Sequence, residues 1–345
     1  MASKSNIILV TGGSGYVGST FIRDSLADGY RVRCLDLLVY GGKSIVGFLN
    51  HPNFEFVYGD IRDKKTVNNC LEGVDYVVHL ASIVGDKPCQ AAPKSAYQIN
   101  YIGTKMLAEL SKKAKVEKFV FASTCSNYGI SDPKTFATEK NKLNPVSLYA
   151  ELKIDCERYL KDISNDKFAA VILRFGTAFG ISFRTRFDLA VNSFAYEAFT
   201  SNEIVVFAEN TWRPYIHVAD MSLIIRQILM EEGGRIGGEI FNAGSTSQNY
   251  IKRDVVEMLL KLMPKLKTKY VSTVDDRRDY RVSCEKLETL VNFRPSRTVE
   301  DGFRELLSSF RNGIITENDY EANTLEALTE FFGKNEINLG RNNRG

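Results

Sequence analysis

Short apolar runs alternate with longer mixed segments through the first half of the chain. NIILVTG (6–12) is a buried-strand pattern ending in glycine, and YVGSTFIRDSLADG (16–29) has helical spacing with a terminal Gly. The alternation continues with strands at 30–38 (YRVRCLDLL) and 53–60 (NFEFVYGD), then a helix at 64–73 (KKTVNNCLEG). A strand at 74–82 (VDYVVHLAS), a long helix at 95–116 and a strand at 118–124 (KFVFAST) follow. The pattern then predicts a helix over 145–165 (PVSLYAELKIDCERYLKDISN) and one continuous strand over 168–180 (FAAVILRFGTAFG). Near-continuous β-branched runs that alternate with helices argue for a parallel sheet covered on both faces. The fold class is α/β, a doubly wound parallel sheet of Rossmann type.

Beyond about residue 180 the regularity loosens. RTRFDLAVNSFAYEAF (184–199) reads as a helix, EIVVFAE as a short strand and YIHVADMSLIIRQILME as a strand running into a helix, while GEIFNAG is strand-like. We read 1–180 as the nucleotide-binding domain, with later segments returning to it, and 181–310 as a smaller interleaved substrate-binding domain. Residues 311–345 form a tail with a helical middle and a polar, Asn-rich end, expected to be loosely held.

Composition narrows the function class. The 345 residues are 44% hydrophobic, enough to bury a sizeable core, and the net charge of +3 is too small to imply nucleic acid or a membrane surface. No apolar run reaches the roughly 18 residues of a spanning helix. Cys34, Cys70, Cys89, Cys125, Cys156 and Cys284 form no CxxC pair, and only His51, His79 and His217 are present. Neither a metal centre nor a disulfide framework is expected, and the chain reads as a reduced, cytoplasmic protein.

TGGSGYVG places Gly12, Gly15, Tyr16, Val17 and Gly18 between the first strand and the first helix. Glycine there allows a tight turn and lets a pyrophosphate reach backbone N–H groups at the helix N-terminus. Asp36 closes the second strand about two dozen residues later, where a carboxylate can take ribose hydroxyls. Leu37 and Leu38 follow it with no Arg to receive a 2′-phosphate, so NAD is favoured over NADP, although Arg33 is near in sequence. In YGDIRD, Asp60 can accept from an adenine amino group while Ile61 packs on the ring; the competing role for Asp60 is a helix N-cap.

Tyr149 and Lys153 lie four apart in PVSLYAELK and so share one helix face. A nearby ammonium lowers a phenol's pKa, and the phenol can then serve as acid or base at a sugar hydroxyl or carbonyl. With TGGSGYVG, Asp36, GDIRD, HLAS, STCSNYG, YAELK, LRFG and RPYIHVAD in this order, residues 6 to 310 resemble the extended short-chain dehydrogenase/reductase superfamily. Within it the chain is similar to the nucleotide-sugar epimerase/dehydratase group.

The resemblance implies a hydride passed between a sugar and NAD, with Thr124, Tyr149 and Lys153 as the working triad. Leu80, Ala81 and Ser82 stand where the family's strand end runs along the cofactor, with His79 structural, and Val84 lies in a substrate-facing loop. Cys125 and Ser126 occupy the place of the Asp-Glu pair of 4,6-dehydratases. A thiol and a hydroxyl substitute poorly for that acid and base, which disfavours dehydration and leaves Cys125 as pocket wall. Thr177 stands where many 4-epimerases carry Asn. Arg213, and Arg277 or Arg278, match family contacts to the substrate diphosphate, and Arg184 and Arg186 are further candidates for the pocket wall. The implied substrate is a nucleotide diphosphate sugar, and the implied reaction is redox chemistry at C4, as an epimerase, dehydrogenase or reductase. A non-enzymatic NAD-binding protein is disfavoured because both Tyr149 and Lys153 are present. A homodimer, paired through helices near 95–114 and 147–163, is expected from the resemblance.

Overall fold

A computed structural model describes residues 6–132, 134–271, 278–321 and 331. The first half builds a series of strand–helix units. These are β1 (Ile7–Thr11), α1 (Tyr16–Ala27), β2 (Arg31–Asp36), β3 (Phe54–Tyr58), α2 (Lys64–Cys70), β4 (Tyr76–His79), α3 (Asp86–Ala91), α4 (Pro93–Ala96), α5 (Thr104–Lys113), β5 (Lys118–Thr124), α6 (Leu148–Ile163) and β6 (Ala169–Phe175). The stretch Tyr97–Gly103 is a π-helical link that makes 93–113 one continuous rod, as the long apolar pattern predicts.

The second half contributes β7 (Thr177–Phe179), α7 (Ala190–Ser201), β8 (Glu203–Phe207), β9 (Trp212–His217), α8 (Val218–Met230), α9 (Gly233–Ile236), β10 (Ile240–Ala243), β11 (Asn249–Ile251), α10 (Lys252–Leu262), β12 (Lys267–Val271), α11 (Glu285–Leu290), α12 (Val299–Arg311) and α13 (Glu317–Glu321).

Seven strands form one parallel sheet in the order β10-β6-β5-β4-β1-β2-β3. Its central strands are buried on both faces, which is why they read as unbroken apolar runs; every residue of β6 is buried. The strand order reverses between β1 and β4, so a crevice opens beyond their carboxyl ends, the usual ligand position in such sheets. One core cluster packs α1 and α8 on one face, and a second packs α5 and α6 on the other. A third, built on Phe179, Phe194, Tyr215, Val255 and Phe303, holds the C-terminal elements together.

Three sequence expectations change. The run 168–180 is two strands in different sheets, because the chain turns at Gly176 from β6 into β7, which pairs with β9. A Cβ at Gly176 would stand 2.9 Å from the Pro214 carbonyl oxygen, so the crossing of the two sheets needs glycine. The helix expected from residue 184 starts only at Ala190, and 184–189 runs as a loop along the crevice. Helices α10 and α12 were not anticipated, although Thr298 and Asp301 form a reciprocal capping box at the start of α12. The expected Asn-rich end lies outside the described residues. No helix among the described residues is long and apolar enough to cross a membrane.

Candidate active site

The site grows from the turn after β1. Gly12 has φ +74, and a Cβ on it would stand 2.6 Å from the Ala81 backbone nitrogen. Only glycine lets the ends of β1 and β4 approach so closely. Gly18 is pressed against the same turn, where a Cβ would collide with Gly12 O, whereas Gly15 faces more open space. The result is a backbone cradle at the start of α1, suited to a diphosphate. Asp36 Oδ2 accepts from Ser14 N (2.9 Å) and Oδ1 from Leu38 N (2.8 Å), which fixes the carboxylate beside that turn.

One cleft is lined by Gly12, Gly15, Tyr16, Val17 and Gly18, by Asp36, Asp60 and Ile61, and by Leu80, Ala81, Ser82 and Val84. Thr124, Ser126, Tyr149, Lys153, Thr177, Arg186, Arg213 and Arg278 line it as well. The structure therefore brings together nearly every residue singled out from sequence. Asp60 does not cap a helix: Asp63 is the N-cap of α2, and Asp60 pairs with Arg62 at 2.6 Å. Arg33 is turned away, bound to Glu55 and to the carbonyls of Cys70 and Glu72.

One placement differs from expectation. Cys125 is not a cleft wall. β5 ends in a tight 3-10 turn that Thr124 caps through Oγ1, and this turn points Thr124 and Ser126 at the cleft and Cys125 away from it. Its thiol donates to Arg174 O at 3.0 Å and is pushed well above the ordinary thiol range, chiefly by burial. All six cysteines are buried free thiols. Arg277 lies outside the described residues, while Arg278 reaches Ser126 Oγ (3.3 Å) and Asp86 (3.5 Å).

Ser147 caps α6 by accepting from Ala150 N, which sets Tyr149 in the first turn and Lys153 one turn on. Lys153 Nζ donates to Ala122 O (2.8 Å) and lies 5.8 Å from the centre of the Tyr149 ring. Burial pushes the ammonium down to about 8, against opposing pulls from Cys156, Cys89 and Glu157. Burial pushes the Tyr149 phenol up, Cys89 and Asp86 add to this, and the cations that draw it back are Arg186 and Arg278.

Sequence reading missed the groups that hold this geometry. Asn100 accepts from Ile83 N and donates to Ile83 O, both at 2.8 Å, pinning the turn after β4. It sits in the π-helical stretch, a distortion often found at functional sites, and its own carbonyl receives Thr104 Oγ1 and the Cys156 thiol. His79 is structural, as expected. Thr104 donates to Asn100 O, so its oxygen accepts from His79 Nε2, which leaves Nδ1 to accept from Thr11. Burial, then Lys153, pushes His79 down to about 3. A buried Asn in an apolar helix was the available signal for Asn100.

A parallel sheet with a glycine cradle at its strand-order reversal, an acid after β2 and a Tyr/Lys helix beside it defines a dinucleotide-dependent oxidoreductase fold. Residues 8–244 match the model of the NAD dependent epimerase/dehydratase family, and the chain belongs to that family. It is 28% identical to dTDP-glucose 4,6-dehydratase of Streptomyces niveus over 88% of this chain and 93% of the relative. It is 34% identical to UDP-glucose 4-epimerase of Rhizobium meliloti (strain 1021), over 53% of this chain and 55% of that one. The crystal structure of Thermus thermophilus UDP-glucose 4-epimerase in complex with NAD superposes with a TM-score of 0.77 at 26% identity, covering 88% of this chain and 99% of the other. The cofactor is NAD, and the glycine cradle and Asp36 fit it. The relatives include both epimerases and 4,6-dehydratases of nucleotide sugars.

Proposed function

We propose that the protein is an NAD-dependent 4-epimerase of a nucleotide diphosphate sugar. The observation that carries this reading is the end of β5, which turns Thr124 and Ser126 to the cleft and buries the Cys125 thiol against Arg174 O. Loss of water from a hexose needs an acid for the departing hydroxyl and a base for the neighbouring C–H. At this strand end the cleft receives two hydroxyls instead. NAD supplies the hydride acceptor. Tyr149 takes the proton of the sugar hydroxyl as hydride leaves and returns it when hydride comes back to the other face. Thr124 holds the reacting oxygen, and Lys153 orients the nicotinamide ribose.

Asp36 takes the adenosine ribose in this reading, while Asp60 and Ile61 take the adenine. Leu80, Ala81 and Ser82 run along the cofactor. Arg186, Arg213 and Arg278 gather on the substrate side and hold the diphosphate, with Val84, Ser126 and Thr177 around the sugar. Residues 1–180 carry the cofactor half of the cleft and 181–310 most of the substrate half. A homodimer would pair through 93–113 and α6, where Tyr97 and Ile102 are exposed; sedimentation velocity tests it.

Incubation of the purified protein with UDP- and dTDP-hexoses, read by NMR and mass spectrometry, tests the reaction. A C4 epimer of unchanged mass, formed without added cofactor, is the expected product. A product lighter by one water would replace epimerisation with dehydration. Release of a 4-keto sugar with NADH left on the protein would replace it with a dehydrogenase.

A further inference from the structure

Around the cleft several charged side chains have partners. Arg186 pairs with Asp188 at 2.5 Å and Asp86 with Arg278 at 3.5 Å. Arg184 has no carboxylate within ion-pair distance among the described residues, and its buried Nε has no hydrogen-bond partner. Its guanidinium carbon lies over the Tyr40 ring, 3.5 Å from the ring centre, and both residues line the cleft. A guanidinium drawn partly out of water without a counter-charge is held at a cost, and its place in the cleft suits a bound anion. Burial pushes Arg184 down to about 10, Arg186 adds to this, and Tyr40, Asp188 and Asp36 oppose it.

Two anions fit the cleft, the diphosphate of NAD and that of the sugar nucleotide. The neighbours of Arg184 distinguish them. Its segment, 180–186, is fastened to the glycine turn: Tyr16 OH donates to Gly180 O (2.7 Å) and Ser182 Oγ donates to Tyr16 O (2.6 Å). Ser19 and Ser182 hydroxyls meet at 3.1 Å. Tyr40 follows Asp36 at the end of β2, and Ser44 in the same loop donates to Ser14 O. Arg213 and Arg278 instead stand with Tyr280 and Ser126. We propose that Arg184, aimed by its stack on Tyr40, binds the diphosphate of NAD together with the glycine turn. Segment 180–186 is then a strap that retains the cofactor. A chain region outside the nucleotide-binding half thereby controls how long NAD stays.

The test compares wild type, Arg184→Met and Tyr40→Leu for affinity toward NAD, ADP-ribose, adenosine, UDP and dTDP, with melting temperatures alongside. A charged hydrogen bond lost to a phosphate predicts NAD and ADP-ribose binding weaker by about ten- to a hundredfold in Arg184→Met. Adenosine, UDP and dTDP binding should stay within about twofold. Without nucleotide, Arg184→Met should melt close to wild type, because the charge removed had no carboxylate partner and Met can still pack on Tyr40, while its NAD-induced rise in melting temperature shrinks. Tyr40→Leu should lose NAD affinity in the same direction. Unchanged NAD binding in Arg184→Met, a loss on UDP and dTDP in its place, an equal loss on adenosine, or a nucleotide-free variant that melts well below wild type or fails to fold would each overturn the assignment.

Discussion

Glu157 and Arg174 meet as a two-pronged ion pair in the protein interior. Arg174 Nη2 stands 2.6 Å from Glu157 Oε2, and Nε reaches both carboxylate oxygens, with each side chain 3% exposed. Glu157 lies one turn beyond Lys153 on α6, and Arg174 lies on β6. Glu157 also accepts from Ser123 Oγ and Asn127 Nδ2, and Arg174 donates to Tyr128, whose hydroxyl donates to Asn242. The turn carrying Thr124 and Ser126 is clamped between α6 and β6.

Breaking one side of that clamp leaves a buried charge alone. Glu157→Gln should lose about 3–5 kcal/mol of stability in urea unfolding. Replacing both partners, with Glu157→Leu and Arg174→Met, should lose less than the two single changes added together. A loss under about 1 kcal/mol for Glu157→Gln would mean that the pair is not structurally important.

Tyr149→Phe removes one oxygen from the cleft and nothing from the cofactor cradle. Turnover should fall by about 10²–10⁴, with the NAD content of the purified protein unchanged by mass spectrometry. Turnover within a few-fold of wild type would take the phenol out of the chemistry.

Arg278 reaches into the cleft beside Ser126 and Asp86. If it holds the substrate diphosphate, Arg278→Met should raise KM by about ten- to a hundredfold, with a smaller change in kcat. Steady-state kinetics with the substrate found above decide this, and an unchanged KM would move the diphosphate contact elsewhere.

His79 makes stability depend on pH. It is neutral in the folded protein down to about pH 3, whereas the unfolded chain takes up that proton near pH 6.5. The unfolded state therefore binds more protons between those values. The contribution is fully present above about pH 6.5 and drains away as the pH falls toward 3. Urea unfolding from pH 8 to 5 should show a decline in wild type that is shallower in His79→Gln. Parallel curves for the two proteins would show that the proton uptake lies elsewhere.

The first 180 residues were legible because the same residues form strand, turn and site. The run before Gly12 is apolar since β1 is buried on both faces, and the glycines follow because β1 and β4 nearly touch. Tyr149 and Lys153 needed only helical spacing. What stayed hidden depends on direction or distance. Nothing in STCSNYG says that a 3-10 turn sends Cys125 inward and Ser126 outward. Asp60 was equally good as a cap until Asp63 took that position. The run 168–180 reads as one strand because both halves are apolar, and only Gly176 marks the change of sheet. Arg184 and Tyr40 come from distant parts of the chain, so their stack had no local signal. The capping box at Thr298 is itself a local signal for the start of α12.

The seventh strand of the sheet arrives late. β10 covers the edge of β6 only after α7, β8, β9 and α8 have intervened, and α8 is the partner of α1, the first helix made. During synthesis at about 5–20 residues per second, β6, apolar but for Arg174, waits roughly 3–14 s with one side of its backbone uncovered. The sheet of the first half is thus unfinished until the second half emerges from the ribosome. A fragment ending at residue 180 should collect in inclusion bodies, whereas one extended past residue 244 has the means to close its own sheet.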